Sequence, residues 1–273
     1  MDRRTFFLGS AAGVLTAATG SLVLAYGFKQ PKPTPKSSEL LTPETGKYWP
    51  YHPVDINRAG ELAYHLYEEG SCMYAMFGSI LKQLAEQHGE PYASFPDYMM
   101  KYGASGIGSY GSVCGALNGA AAAVGLFVQN KAHREELIEH FFTWYEKTAL
   151  PIYTPTSSTI SIPTSVSDSV LCHASTSKWV KASGLSIEGP ERAERCSRLT
   201  ADVAQKTVGM LNDYFSGQYQ TSTELSEETS TCVQCHGGKG KLSNIKGKME
   251  CSACHDKSLA HTLFADIHYK YME

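Results

Sequence analysis

Two Cys-x-x-Cys-His strings near the C-terminus constrain this 273-residue chain more than any other feature. In c-type haem attachment, the two cysteines form thioethers with the porphyrin and the histidine becomes the proximal ligand of the iron. The alternatives are a zinc site, which does not require a histidine after each cysteine pair, and a thiol–disulfide motif. The spacing predicts haem thioethers at Cys232, Cys235, Cys251 and Cys254, with His236 and His255 as proximal iron ligands.

The segment around the strings, residues 217–273, has few large apolar residues before Leu259. Ordering one residue costs about 1–2 kcal/mol, which burial must offset. Two bound haems would supply the missing hydrophobic surface, so we predict a small, irregular dihaem segment. Only residues 237–250 separate the strings, and the haems are expected to lie close together. Lysines in this tether form either a surface for an acidic redox partner or a merely solvated loop: Lys239, Lys241, Lys246 and Lys248.

The distal iron ligands are harder to assign. His261 and His268 stand seven residues apart on a predicted C-terminal helix, hence on one face, and they are the candidates nearest the strings. Two histidines on each iron would leave no open coordination position, which favours electron transfer over catalysis. The other histidines outside the strings remain alternatives: His52, His65, His88, His133, His140 and His173.

The N-terminus has the pattern of an export signal. Arg3-Arg4 precedes a charge-free apolar run from Thr5 to Phe28, which offers a small-residue cleavage site near Ala25. We therefore predict a twin-arginine signal peptide over residues 1–25, a periplasmic mature protein and no membrane attachment after cleavage. The run is also long enough to span a bilayer, so an uncut anchor is the alternative.

The middle of the chain has helical spacing of its apolar residues. A linker rich in Pro, Lys and Ser is predicted over residues 26–47, followed by a helical domain over 48–216. We therefore predict an all-α chain, with this domain ahead of the dihaem segment. A net charge of −3 gives no bulk attraction to nucleic acid, and no such partner is expected. The predicted helices begin at Ile56 with two apolar sets that end at Leu84, and continue over 113–128, 131–150, 166–181 and 190–215. The helix over 113–128 is rich in glycine and alanine, which let its backbone approach neighbouring helices closely, so we expect it to be central.

Four further cysteines, Cys72, Cys114, Cys172 and Cys196, each fall in a different predicted helix, and none belongs to a Cys-x-x-Cys pair. Converging helices could gather them around an iron–sulfur cluster or a zinc ion. Two disulfides or four buried thiols fit the same spacing. The spacing alone leaves these alternatives open.

A resemblance bears on this choice. Cys72, the string GSVCGALNG around Cys114, Cys172 and Cys196 resemble the Cys, Gly-Cys-Ala-x-x-Gly, Cys, Cys family of redox proteins, although here Gly-Ala follows the second cysteine. With its two haem strings and twin-arginine leader, the whole chain resembles the split-Soret cytochromes c. That resemblance implies a homodimer with two haems per subunit packed together, and a [2Fe-2S]-type centre in the helical domain. It also implies bis-histidine haems, one axial histidine being a candidate for donation by the other subunit, and a split Soret absorption band.

Three functional hypotheses follow from these features. The first is a periplasmic electron carrier in anaerobic respiration, which passes electrons among the iron–sulfur centre, the haems and redox partner proteins. The second is an oxidoreductase that reduces a nitrogen or sulfur oxyanion, which needs an iron with an open position. The third is a sensor or maturation module in which the cysteine domain senses redox state. Fully occupied axial positions would favour the carrier.

Overall fold

The computed structural model describes residues 48–156, 158–220 and 225–255. The predicted signal peptide, the linker and both distal-ligand candidates, His261 and His268, lie outside these residues and stay predictions. Within the described ranges the chain is mostly helical, which confirms the all-α prediction. No helix among these residues is both long enough and apolar enough to cross a membrane.

The helices in the described residues are α1 (Ile56–His88), α2 (Gly115–Phe127), α3 (Lys131–Lys147), α4 (Cys172–Ser183), α5 (Pro190–Ser216) and α6 (Glu227–His236). Short 3₁₀ helices cover Tyr92–Ser94 and Asp97–Gly103. Two-residue strands, β1 (Ala149–Leu150) and β2 (Ser165–Val166), pair antiparallel. Polar side chains of Asp55 and Asn130 cap α1 and α3, and a proline opens α5.

Helix α1 bends in its middle. Gly70 and Ser71 leave helical geometry there, Ser71 with a φ of 64°. The bend separates the two apolar sets that the sequence shows, so a single kinked helix replaces the two predicted halves. Every residue from Cys72 to Leu84 except Lys82 is buried, as expected for a helix enclosed on all sides by the core.

The core lies where α1 packs against α5 and α2. Gly119 allows the close approach of α2, since a Cβ atom at this position would lie 2.7 Å from the Met73 carbonyl oxygen. Ala116, Leu117 and Ala120 of the same helix are fully buried. The expectation that the small-residue helix is central is therefore confirmed.

The end of α3 differs from the prediction. The helix stops at Lys147 instead of residue 150, because Ala149–Leu150 pair with Ser165–Val166 across the Ser/Thr/Pro-rich loop. The Thr148 hydroxyl also donates to the Trp144 carbonyl oxygen over 2.6 Å, at the point where the helix ends. The predicted helix from residue 166 is wrong at its start for the same reason, since Val166 belongs to β2.

The starts of α2 and α4 are set by a β-bridge between Val113 and Leu171. Backbone groups that pair with a distant segment cannot also begin a helix, so α2 starts at Gly115 and α4 at Cys172. The prediction that all four cysteines of the helical domain lie inside helices is therefore wrong for Cys114, which immediately precedes α2.

The segment that carries the haem strings packs against α3 and has little core of its own. Among residues 225–255 only Thr229 and Gly237 are buried, so no large apolar side chain of this range is enclosed. An ion pair joins Lys248 to Glu139 of α3. The prediction of an irregular segment is wrong for Glu227–His236, which form helix α6. The described residues after α6 contain no further helix or strand.

Candidate haem and iron centres

The β-bridge brings Cys114 and Cys172 together. The Cys114 N–H donates to the Val170 carbonyl oxygen over 2.8 Å, and the Cys172 N–H donates to the Ser112 carbonyl oxygen over 2.7 Å. Each cysteine lies at the N-terminal end of a helix. The partial positive charge at such an end favours a thiolate, which is the form that binds metals.

Cys72 lies directly after the bend of α1, beside a strained loop. Ser105 and Ile107 of this loop have φ values of 49° and 60°, which non-glycine residues seldom adopt. After burial and the other three thiols, which raise the pKa of the Cys72 thiol, the backbone of Ser105 lowers it, so this loop adjoins Cys72. Gly115 leaves the space that this approach needs, because a Cβ atom there would lie 2.4 Å from the Gly103 carbonyl oxygen and 2.6 Å from the Cys72 sulfur.

The four thiols of the helical domain influence one another. Burial, followed by Cys114, Cys196 and Cys172, raises the pKa of Cys72. Burial, followed by Cys114 and Cys196, raises the pKa of Cys172 to about 12. One thiol can change the pKa of another only if the two lie close together, so the four cysteines form a cluster. All four are free thiols, so the disulfide alternative is not what the structure contains, while their role as iron–sulfur ligands stays a prediction.

Two polar side chains that the sequence analysis did not single out complete this cysteine cluster. Burial raises the pKa of the Cys114 thiol, and the nearby Tyr145 hydroxyl lowers it. The same hydroxyl donates to the Ser175 hydroxyl over 2.8 Å. Arg195 is only 2% exposed. Its Nη2 donates to the same Ser175 oxygen over 2.8 Å, and its Nη1 lies 3.8 Å from the Cys196 sulfur. The one signal in the sequence was the position of this arginine immediately before a cysteine.

The chemistry of the cluster fits an iron–sulfur centre. Thiolates are the ligands such centres take, and a buried guanidinium offers them a compensating charge. The Nε of Arg195 has no hydrogen-bond partner in the described part of the chain, so this donor is available to a further acceptor. Across residues 48–156, 158–220 and 225–255, no three His, Cys, Asp or Glu side chains are arranged as they stand to hold a metal ion. Iron binding would therefore have to draw the thiols closer and release their protons.

The first haem string ends α6. Cys232 is half-buried and Cys235 is exposed, so both thiols are accessible for attachment. The His236 Nδ1 lies 2.8 Å from the Asn244 side-chain oxygen, and a hydrogen bond at Nδ1 favours the tautomer whose Nε2 binds iron. The tether folds back over this end of the helix. Gly240 is required there, since a Cβ atom would lie 2.2 Å from the Cys235 carbonyl oxygen.

The second string forms one turn in contact with α6. The His255 N–H donates to the Cys251 carbonyl oxygen over 3.0 Å. The buried Thr229 hydroxyl donates to the Glu250 carboxylate over 2.6 Å and accepts from the Cys251 N–H over 3.2 Å. Burial raises the pKa of the Cys251 thiol and the nearby Cys232 thiol raises it further, so the two thiols are neighbours. The first attachment points of the two predicted haems are therefore adjacent.

Open cavities border both strings, and both cavities adjoin α3. A cavity of about 730 Å³ is lined by Cys254 and His255 and also by Glu146. A second, of about 820 Å³, borders α6, the tether and Glu135 of α3. Burial raises the pKa of Glu146. This residue directly follows Tyr145, so neighbouring residues of α3 adjoin the cysteine cluster and the cavity beside the second haem string.

A family model for four-cysteine proteins matches the helical domain. Described as "Putative redox-active protein (C_GCAxxG_C_C)", it covers residues 72–210, a range that includes all four clustered cysteines. The helical fold and the cysteine cluster therefore define a redox-active four-cysteine protein.

A relative of known name extends this similarity to most of the chain. The split-Soret cytochrome c of Desulfovibrio desulfuricans ATCC 27774 is 36% identical over 221 residues, which cover 78% of this chain and 79% of that protein. A solved structure of the split-Soret cytochrome c from the same strain, described as having a novel iron centre, matches with a TM-score of 0.73 and 34% identity. That match covers 78% of this chain and 92% of the solved one. The chain belongs to the split-Soret cytochrome c family, and it is a haem protein of electron transfer.

Proposed function

We propose that this protein is an exported electron carrier with two haem c groups on its C-terminal segment and a [2Fe-2S]-type centre among its four clustered cysteines. The observation that carries the proposal is that one stretch of α3 lies beside both candidate centres. Tyr145 contacts Cys114, while the next residue, Glu146, lines the cavity beside Cys254 and His255. Centres held so near one another can exchange electrons within one subunit.

The residues of the helical domain would bind the iron centre and shield it from water. Thiolates of Cys72, Cys114, Cys172 and Cys196 would hold the iron. Iron–sulfur and haem groups supply one-electron chemistry when bound. The chain contributes the helix N-termini that favour thiolates, the Tyr145 hydroxyl beside Cys114, and the burial that excludes solvent.

The haem strings would hold two closely packed haems. His236 and His255 are the proposed proximal ligands, and His261 and His268 are the proposed distal ligands. The adjacent thiols of the two strings support close packing, because each thioether fixes one edge of its porphyrin. Haems in contact would couple electronically and split the Soret band, the property for which the relative is named.

The setting of the protein is also part of the proposal. The Arg3-Arg4 leader supports twin-arginine export to the periplasm, where the carrier would serve anaerobic respiration. The family resemblance supports a homodimer. Exposed lysines of the tether, Lys239, Lys241 and Lys246, would attract an acidic redox partner protein.

Metal analysis of the purified protein tests this proposal. We expect two haems per chain and additional non-haem iron with acid-labile sulfide, all reducible one electron at a time. Carbon monoxide should leave the reduced spectrum unchanged, because both axial positions of each haem are filled. New bands with carbon monoxide or nitrite would contradict the carrier and support the oxyanion reductase, and an absence of non-haem iron would contradict the iron–sulfur centre.

A further inference from the structure

Arg195 is a buried cation that forms no ion pair among the described residues. It is 2% exposed, and its hydrogen-bond partners are the Ser175 hydroxyl at 2.8 Å and the Cys196 sulfur at 3.8 Å. Burial raises the pKa of Asp202 and the charge of Arg195 lowers it, but the two carboxylate oxygens of Asp202 accept the N–H groups of Ile152 and Tyr153. The positive charge of Arg195 therefore lies beside the cysteine cluster.

The next buried arginine of α5, Arg198, forms the kind of ion pair that Arg195 does not form among the described residues. Arg198 is 6% exposed, and its Nε pairs with the Glu194 carboxylate at 2.6 Å. A buried charge is strongly unfavourable unless an opposite charge lies beside it. Arg198 meets that condition within its own helix. Arg195 has no ion pair among the described residues, and the Cys196 sulfur of the cluster lies 3.8 Å from its Nη1.

We propose that Arg195 is the counter-charge of the iron centre and raises its reduction potential. The inference rests on the proposed function, since it assigns a role to a residue of the same site. Four thiolates around iron and sulfide carry a net negative charge, and each added electron makes that charge larger. A fixed positive charge in a low-dielectric site stabilises the reduced form more than the oxidised form.

The step that Arg195 favours transfers a single electron. Arg195 favours the passage of one electron from a reduced haem, which becomes oxidised, to the oxidised iron centre, which becomes reduced. No bond to the arginine forms or breaks, and the guanidinium stays protonated throughout because its proton is not released in proteins. The residue is thus a positioning and charge-supplying residue and not a carrier of electrons.

Potentiometric titration of the holoprotein tests the inference. In R195Q we expect the equilibrium constant for reducing the iron centre to fall by at least about tenfold, which is a shift of about 59 mV downward for a one-electron couple. The haem potentials of the same molecule should stay unchanged and serve as an internal control. R195K keeps the charge and should retain most of the wild-type potential. R58Q removes an equal charge from an exposed site and should shift nothing.

The outcomes separate this inference from the proposed function. Equal potentials in R195Q and wild type, or equal shifts in R195Q and R195K, would overturn the role of the charge while the iron centre stands. Wild-type protein without non-haem iron would overturn both.

A second variant decides the matter if R195Q does not fold. Ser175→Ala removes the oxygen that holds the guanidinium in place but keeps the charge. A smaller downward shift of the iron potential, with unchanged haem potentials, supports the role of Arg195. An unchanged iron potential in S175A contradicts it.

Discussion

The Cys232 thiol lies close enough to the Cys251 thiol to add to the raised pKa that burial gives Cys251, although the two residues belong to different haem strings. Thr229 fixes the start of the second string against α6, because its hydroxyl donates to the Glu250 carboxylate and accepts the Cys251 N–H. Cys232 and Cys251 are each the first of the two predicted thioether cysteines of their string. The two porphyrins are consequently expected to extend from neighbouring points and to make contact.

Replacing Thr229 by valine should loosen the packing of the two haems without removing either one. The variant keeps the side-chain shape but loses both hydrogen bonds, one of them to a charged group. We expect the haem content to stay at two while the Soret band changes from a split to a simpler shape. Absorption spectra of the oxidised and reduced protein measure this change.

The neighbouring Thr231 supplies the control for that variant. It lies on the same helix and is exposed, and its hydroxyl donates only to the Glu227 carbonyl oxygen within the helix. T231V should leave the Soret band as in the wild type. An unchanged band in T229V, or equal changes in the two variants, would show that Thr229 does not set the haem arrangement.

Substitution of Gly115 by alanine should damage the cysteine cluster. The added methyl group would meet the Gly103 carbonyl oxygen and the Cys72 sulfur at less than contact distance. Overpacking of this kind typically costs about 1–3 kcal/mol of unfolding free energy. We expect chemical denaturation to show that loss, together with a lower content of non-haem iron.

Gly125 of the same helix is the matched control. It is exposed, and nothing lies within 4 Å of a Cβ atom at that position. G125A should stabilise the protein by up to about 1 kcal/mol, because alanine favours the helix. A G115A protein as stable and as rich in iron as G125A would contradict the close packing around Cys72.

Asp202 should make the stability of the protein fall as pH rises. Burial raises the pKa of this carboxyl from 3.8 to about 6, against the lowering effect of the Ile152 and Tyr153 N–H groups and of Arg195. The folded state therefore binds the proton more tightly than the unfolded state. The resulting stabilisation is full below pH 3.8 and is lost as pH rises through about 6, a change of roughly 3 kcal/mol.

Comparison of the wild type with D202N measures how much Asp202 contributes to the pH dependence of the unfolding free energy. The unfolding free energy of the wild type should decline relative to that of D202N between about pH 4 and pH 7. D213N, which alters an exposed carboxyl on the same helix, should follow the wild type at every pH. A difference between wild type and D202N that does not change with pH would show that Asp202 has an ordinary pKa in the folded protein.

Local patterns in the sequence predicted much of the fold. The haem strings could be recognised because thioether attachment requires all three residues at fixed spacing. Helical periodicity identified α1 to α5, and small residues identified α2 as central. Helix α6 was missed, because its polar sequence carries little apolar periodicity. Its Ser226 cap, whose hydroxyl accepts the Thr229 N–H, was the available local signal.

The cysteine cluster could be predicted only in part. The pairing of Val113 with Leu171 joins segments far apart in the chain, and no local signal at either residue reveals its partner. That pairing places Cys114 and Cys172 together and shortens two predicted helices. The environment of Arg195 was equally hidden, because only the packed structure shows that it is buried and forms no ion pair with a carboxylate of the described residues.

Intact-mass spectrometry of the mature protein, made in a host that attaches haem c, shows whether the two strings bind haem. We expect a mass increase equal to two covalently bound haems. Changing both cysteines of one string to serine, as in C232S/C235S or C251S/C254S, should reduce the increase to one haem. A mature chain without added porphyrin, or unchanged haem content in both double variants, would show that these cysteines do not attach haem.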